Sequence, residues 1–247
     1  MARMKGKVCI VTGGAVGLGR AYAMALANEG AKVALFDIVD GSDLATQIDG
    51  QFLPTDVSNA GDVAASVDAV LDQFGTIDVL INNAAIYSTL PVARYDEIDP
   101  GLWDQVFAVN VRGAFQMIQK VAPVMEARGG GKIINITSGT TYKGMPGMAH
   151  YVSSKGALVA MTRCLSRELG DSGICINNLS PGLILSDSIQ ANEEHLDMAS
   201  QPVLASRALK RHGYPDDLIG ALLFLASSDS DFVTGQTIAV DGGSVNT

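Results

Sequence analysis

Thr12-Gly13-Gly14-Ala15-Val16-Gly17-Leu18-Gly19 follows a short apolar run, Val8-Cys9-Ile10-Val11, and opens into a stretch with helical periodicity, 18–28. The run is apolar at every position, which suits a strand covered on both faces. Glycines at the strand-to-helix turn permit left-handed φ and close backbone approach. They bring a diphosphate to a helix N-terminus, where free N–H groups and the macrodipole favour negative charge. A glycine triplet alone is weak evidence. Here a strand precedes it, a helix follows it, and an acid, Asp37, stands twenty positions beyond Gly17 at the end of the next apolar run.

Outward from this turn the same alternation continues. Segments 7–12, 32–37, 51–56, 78–82, 132–138, 174–180 and 237–240 read as strands, and 18–28, 62–74, 102–125, 151–169 and 215–226 as helices. In the second helix Val63, Val67, Val70, Leu71 and Phe74 recur at three- and four-residue spacing and form one buried stripe. The βαβα rhythm predicts an α/β fold with a doubly wound parallel sheet in a single domain. The stretch 182–214 breaks the rhythm. It is long for a connection, which predicts a lid, with Gly182 and Gly213 as hinge points and Leu185, Ile189, Leu196 and Met198 facing what it covers.

Composition narrows the function. The 247 residues include 17 Lys plus Arg and 26 Asp plus Glu, a formal charge of −9. Such a chain is a poor partner for nucleic acid or anionic membranes, both of which recruit basic residues. Cys9, Cys164 and Cys175 are scattered and odd in number, which fits a reducing compartment and thiols used as small apolar groups. His150, His195 and His212 show no metal-ligand spacing. No run reaches the length of a membrane span or a signal core, so the expected location is cytoplasmic.

Asp37 selects the nucleotide. A carboxylate at the end of the second strand accepts both ribose hydroxyls and repels a 2′-phosphate. Neither Val16 nor Ile38 is basic, so nothing beside Asp37 rescues that phosphate, and NAD is the expected cofactor.

The glycine spacing, with Asn82-Asn83-Ala84-Ala85, Ser138, Tyr151-x3-Lys155 and Pro181-Gly182, resembles the classical short-chain dehydrogenase/reductase family from residue 7 to residue 243. The resemblance implies a seven-stranded Rossmann sheet of order 3-2-1-4-5-6-7 and a homotetramer. It implies a catalytic set of Asn110, Ser138, Tyr151 and Lys155. It further implies cofactor contacts from Gly13, Gly17, Leu18 and Gly19 to the diphosphate, Asp37 to the adenosine ribose, and Asp56 with Val57 to the adenine. Asn83, Ala84, Tyr151 and Lys155 would serve the ribose side, and Pro181, Gly182, Ile184 and Ser186 the nicotinamide. Ala85 stands where the family has glycine, and Ser186 where it has threonine. Helix 151–169 and the 62–74 or 102–125 region are the candidate subunit interfaces.

These residues suit hydride transfer from an alcohol. Its hydroxyl proton must leave, and tyrosine becomes a competent base when a neighbouring cation stabilises its phenolate. Tyr151 and Lys155, four apart, share a helix face. Ser138, at a strand end, can bond the substrate oxygen, and the Asn110 amide can hold a relay water. His150, one step from Tyr151, points elsewhere and reads as structural.

Substrate contacts are expected from Ser138, Thr140, Tyr142, Met145 and Tyr151, with Tyr87, Leu185 and Met198 nearby. They form an apolar wall with hydroxyls, which predicts a neutral, ring-bearing or bulky secondary alcohol or ketone. Within the family the pattern is similar to NAD-dependent secondary alcohol dehydrogenases such as 1-phenylethanol dehydrogenase, and to pyridoxal 4-dehydrogenase. Two alternatives stand beside it. One is a 3-oxoacyl-(acyl carrier protein) reductase, against which Asp37 and the acidic charge both argue. The other is a cofactor-binding sensor without turnover, against which the intact Ser138, Tyr151 and Lys155 argue.

Overall fold

The computed structural model describes residues 2–187 and 201–245. Seven parallel strands form one sheet in the order β3-β2-β1-β4-β5-β6-β7. They are β1 (Val8–Thr12), β2 (Lys32–Asp37), β3 (Gln51–Pro54), β4 (Val79–Asn82), β5 (Gly131–Ile136), β6 (Ile174–Pro181) and β7 (Thr237–Val240). Every residue of β1 and β4 is buried, as continuous apolar runs require of strands covered on both faces.

Helices α1 (Gly17–Asn28) and α2 (Ser42–Gln47), with the late helix 216–226, cover one face. Tyr22 and Leu26 of α1 meet Leu218, Leu222 and Leu225 there. The opposite face is covered by α3 (Ala60–Phe74), α5 (Ala114–Ala127) and α7 (Ala149–Leu169). Val63, Val67 and Val70 pack with Met117, Val121 and Met125. Each such buried aliphatic side chain contributes roughly 1.5–3 kcal/mol by leaving water.

Two helices begin earlier than periodicity predicts, because polar caps start them. Asn59 accepts N–H bonds from Gly61 and Asp62 at the head of α3. Asp99 accepts from Leu102 at the head of α4 (Pro100–Phe107), with Pro100 in the first turn. The single helix expected over 102–125 is α4 and α5 joined by a widened π turn, Ala108–Gly113. The four-residue helix α6 (Thr140–Lys143) lies where a loop was expected, and α8 (Asp216–Ala226) is the late helix.

Register places Asn82, Asn135 and Asn178 side by side on β4, β5 and β6. Asn82 donates to Asn135 (2.9 Å), Asn135 to Thr162 of α7 (2.9 Å), Thr162 to Asn178 (2.7 Å), and Asn178 to Thr237 (3.0 Å). A connected buried network of this kind, in which the Asn82 side-chain oxygen alone of the asparagine oxygens lacks a partner among the described residues, fixes strand and helix positions more sharply than apolar contact does. It ties α7 to the sheet just below the strand ends.

Among the described residues no helix is long and apolar enough to cross a membrane. Of the three thiols only Cys9 is fully buried. Cys164 is exposed and donates to Glu168, which corrects the expectation that all three serve as small apolar groups.

Candidate active site

A cleft of about 1090 Å³ opens along the carboxyl ends of the strands, the usual ligand position in a doubly wound sheet. This is at the upper end of small-molecule sites, enough for a dinucleotide with a second molecule. Gly13, Gly17, Leu18, Asp37, Asp56, Val57, Asn83, Ala84, Pro181, Gly182, Ile184 and Ser186 line it, with Ser138, Thr140, Met145, Tyr151 and Lys155.

The glycine turn is built for an anion. Gly17 has φ +54°, and a Cβ on Gly19 would lie 1.8 Å from the Gly13 carbonyl oxygen, so neither position accepts a side chain. Gly19 therefore packs beneath the loop and does not line the cleft, which corrects its expected place there. Asn83 clamps the loop by donating to the carbonyls of Thr12 and Gly13, both at 3.0 Å. Unlike α3 and α4, α1 has no side-chain cap, and its first turn carries no acid. Its first N–H groups remain available to a diphosphate.

Asp37 is buried at the cleft edge. Its carboxylate accepts from the N–H of Ala15 at 2.9 Å and of Val39 at 3.0 Å, joining β2 to the glycine loop. Each oxygen keeps a second lone pair for a ribose hydroxyl. Ile38 beside it is exposed, and the cations lining the cleft are Lys143 and Lys155. Asp56 accepts from the N–H and hydroxyl of Ser58, and Val57 is buried behind it. These residues fit a nicotinamide dinucleotide.

Around the reacting position the hydroxyls cluster. Thr140 donates to Ser138 at 2.9 Å, and Ser138 and Tyr151 line the cleft together. Burial pushes the Tyr151 phenol well above tyrosine's ordinary range, Tyr87 adds to the rise, and the neighbouring Ser138 hydroxyl opposes it. The Tyr87 and Tyr151 rings lie 4.5 Å apart, tilted by 33°. The expected lowering by Lys155 is absent. The ammonium lies 5.8 Å from the Tyr151 ring centre and donates to the Ile136 carbonyl at 2.8 Å. Burial also brings Lys155 itself down to about 8.

Asn110 is buried in the π turn and does not line the cleft. Its side-chain oxygen accepts from Ile86 N (2.8 Å), and its amide donates to Ile86 O (3.2 Å) and to Ser154 Oγ (3.1 Å). Ser154 in turn donates to the Tyr151 carbonyl at 2.7 Å. The side chain expected to hold a relay water is therefore committed to protein groups, and what it does is hold Ile86 and the head of α7 in place.

Tyr142 is a second correction. On α6, Thr140 and Lys143 share a face at i, i+3, and position 142 points away. Tyr142 lines a separate cavity with Arg163 and Arg167, while Lys143, which sequence reasoning missed, lines the cleft. Recognising a helix turn at 140–143 would have exposed the difference. Met145 and Tyr87 do line the cleft, and Leu185 does not. His150 is fully buried, and neither ring nitrogen has a hydrogen-bond partner among the described residues.

The long connection is stapled at its root. Ile184 bridges Gly213, Leu185 N donates to Gly213 O (2.8 Å), and buried Arg207 donates to the carbonyls of Leu183 (2.6 Å) and Arg211 (2.8 Å). A Cβ on Gly182 would lie 2.7 Å from Asp241 and one on Gly213 2.7 Å from Ile184. Both glycines thus serve close packing at the root rather than the hinges expected of them. Ile189, Asn192-Glu193-Glu194-His195, Leu196 and Met198 lie outside the described residues.

Residues 13–245 match a family model described as enoyl-(acyl carrier protein) reductase. The chain is 35% identical to the 3-oxoacyl-[acyl-carrier-protein] reductase FabG of Thermotoga maritima over 98% of this chain and 99% of that protein. It is 35% identical to the short chain dehydrogenase/reductase astE of Aspergillus oryzae, over 97% of this chain and 95% of that one. The crystal structure of levodione reductase superposes with a TM-score of 0.89 at 30% identity, covering 96% and 97% of the two chains.

Proposed function

Because this chain belongs to the short-chain dehydrogenase/reductase family, we propose that it is an NAD-dependent oxidoreductase acting on a bulky secondary alcohol or its ketone, with Tyr151 as acid and base. The observation that carries this reading is the convergence of Ser138, Tyr151 and Lys155 on the cleft, with Thr140 bonded to Ser138.

Bound nicotinamide supplies the hydride acceptor or donor. The protein does the rest. Ser138 holds the substrate oxygen against the Tyr151 phenol, and proximity replaces a collision with a bound geometry. In ketone reduction Tyr151 donates its proton to the developing alkoxide. Its raised pKa keeps that proton in place at neutral pH. In alcohol oxidation the proton returns to Tyr151. Lys155, its ammonium 5.8 Å from the Tyr151 ring centre and lining the cleft, is placed to reach ribose hydroxyls. Asn110 fixes Ile86 and, through Ser154, the helix that carries Tyr151. Asp37 receives the adenosine ribose and disfavours a 2′-phosphate, so NAD(H) is preferred. Ile86, Leu90, Met145 and Val203 offer an apolar wall to the body of the substrate. The proposed assembly is a homotetramer, and the proposed place of work is the cytoplasm.

A second reading, reduction of 3-oxoacyl groups on an acyl carrier protein, is favoured by the name of the Thermotoga maritima relative. One panel separates them. Oxidation of NADH and NADPH is followed with small aryl and alkyl ketones and with a 3-oxoacyl carrier-protein substrate. Efficient NADH use on small ketones supports the first reading. Turnover confined to NADPH and the carrier-bound substrate replaces it with the second. Tight NADH binding without turnover of any substrate leaves a sensor.

A further inference from the structure

Two cations line the cleft among the described residues, and Lys155 is already employed. The other, Lys143, has no role in the chemistry above. It sits on α6 one turn from Thr140, on the same face, and Thr140 bonds Ser138 directly. Side chains at i, i+3 have their Cβ atoms about 5–6 Å apart. Ser138, Thr140 and Lys143 line the same cleft, so the ammonium shares a wall with the hydroxyl that would hold the substrate oxygen.

Among the described residues, the surroundings of Lys143 hold more cations than carboxylates. Its ammonium donates to the Ser244 hydroxyl at 2.8 Å, and Ser244 shares a 2.6 Å hydrogen bond with Ser206, another cleft residue. Among the described residues it makes no ion pair within 4.0 Å. The nearby carboxylate is Asp241, whose oxygens already accept the N–H groups of Gly243, Ser244 and Val245 at 2.9, 3.0 and 2.9 Å. Arg207, on the same side, adds a second positive charge. Arg211 is matched by Asp217 at 2.5 Å. Among the described residues, Lys143, Arg207 and Arg211 thus share Asp241 and Asp217, three cations to two carboxylates, in a protein whose overall charge is −9. Burial holds the ammonium below its ordinary value, and the pull of Asp241 does not restore it.

We propose that Lys143 recognises a carboxylate on the substrate, which makes the preferred ketone an oxo acid rather than the neutral compound its apolar wall suggests. This rests on the oxidoreductase reading above and names the substrate class for the same site. The ammonium keeps two N–H donors beyond its bond to Ser244, and the Thr140 and Ser206 hydroxyls lie on the same wall. A charge-assisted bond from this exposed ammonium at the cleft wall discriminates against the uncharged analogue.

The test compares NADH-dependent kcat/KM for levulinate and 3-acetylbenzoate with that for their methyl esters. The wild type, Lys143→Gln and Lys143→Arg are assayed at low and high salt, after melting curves confirm that the variants fold. The wild type should favour each acid over its ester by about tenfold or more, mainly through KM. The acid-to-ester ratio should drop by about as much in Lys143→Gln, hold in Lys143→Arg, and narrow with salt. Esters that match or beat their acids in the wild type, or a ratio unmoved in Lys143→Gln, would overturn the proposal. So would turnover of acetophenone with none of the acids, while leaving the oxidoreductase reading intact. Failure to reduce any ketone, ester or acid would overturn both.

Discussion

Lys155 donates to the main-chain oxygen of Ile136 at 2.8 Å, and this bond holds a nearly fully buried ammonium beneath the phenol of Tyr151. Burial disfavours its charge and brings the group from an ordinary value of 10.5 to about 8. The charged form is therefore penalised in the fold. The cost is present below about pH 8 and fades as pH rises toward the unfolded value. By the gap between the two values it amounts to about 3 kcal/mol at neutral pH. Lys155→Met should be inactive yet melt several degrees higher than the wild type at pH 7. The difference should shrink between pH 8 and 10 in calorimetry.

The same group shapes the rate. Reduction needs the proton on Tyr151 and the positive charge beside it. With NADH and a matched ketone, kcat/KM should be level from pH 6 to 7 and fall as pH rises through about 8. Lys155→Arg, whose charge does not titrate in this range, should lack that fall, whatever its absolute rate. A profile with the same midpoint in both proteins would assign the titration to another group.

Asp37 joins the glycine loop to β2 through Ala15 and Val39 and faces the cleft. The wild type should use NADH over NADPH by a wide margin, and Asp37→Ala should narrow the gap by losing ribose bonds and phosphate repulsion together. Equal or better use of NADPH by the unmodified protein refutes the assignment. Ratios of kcat/KM for the two cofactors measure it.

Asn110→Leu leaves the N–H and C=O of Ile86 without their side-chain partner and removes one donor from the Ser154 hydroxyl, which keeps its bond to Tyr151 O. Each buried group left unpaired costs about 1–3 kcal/mol. Denaturant unfolding should show a loss of at least one such step, and kcat should fall because Ile86 and the head of α7 are no longer held. Unchanged stability would mean the π turn stands without this anchor.

The sheet was legible because its strands are buried on both faces. Val8-Cys9-Ile10-Val11 and Val79-Leu80-Ile81 leave no polar position for a helix pattern to claim, and the alternation with amphipathic segments implies parallel crossovers. The order of the strands came from the family resemblance instead. The glycine turn and Asp37 were legible because a strand-turn-helix places them by local geometry alone. The role of Asn110 was not, since its partners Ile86 and Ser154 lie 24 and 44 residues away and only folding joins them. The π turn that aims it has no local signature in Ala108–Gly113. Tyr142 and Lys143 exchanged places for a related reason. Thr140–Lys143 is one helical turn, too short for periodicity to reveal, and without the turn an aromatic looks like the cleft residue and a lysine like the solvent one.

The central claim is that Tyr151 passes the proton while the cofactor site is independent of it. Tyr151→Phe removes the phenol oxygen and keeps the ring that packs against Tyr87 at 4.5 Å. The decisive measurement is single-turnover NADH oxidation by this variant with a matched ketone, alongside NADH affinity by fluorescence titration. The account predicts an affinity close to that of the wild type and a hydride-transfer rate lower by about two to four orders of magnitude. Near wild-type transfer in the folded, NADH-bound variant would contradict it.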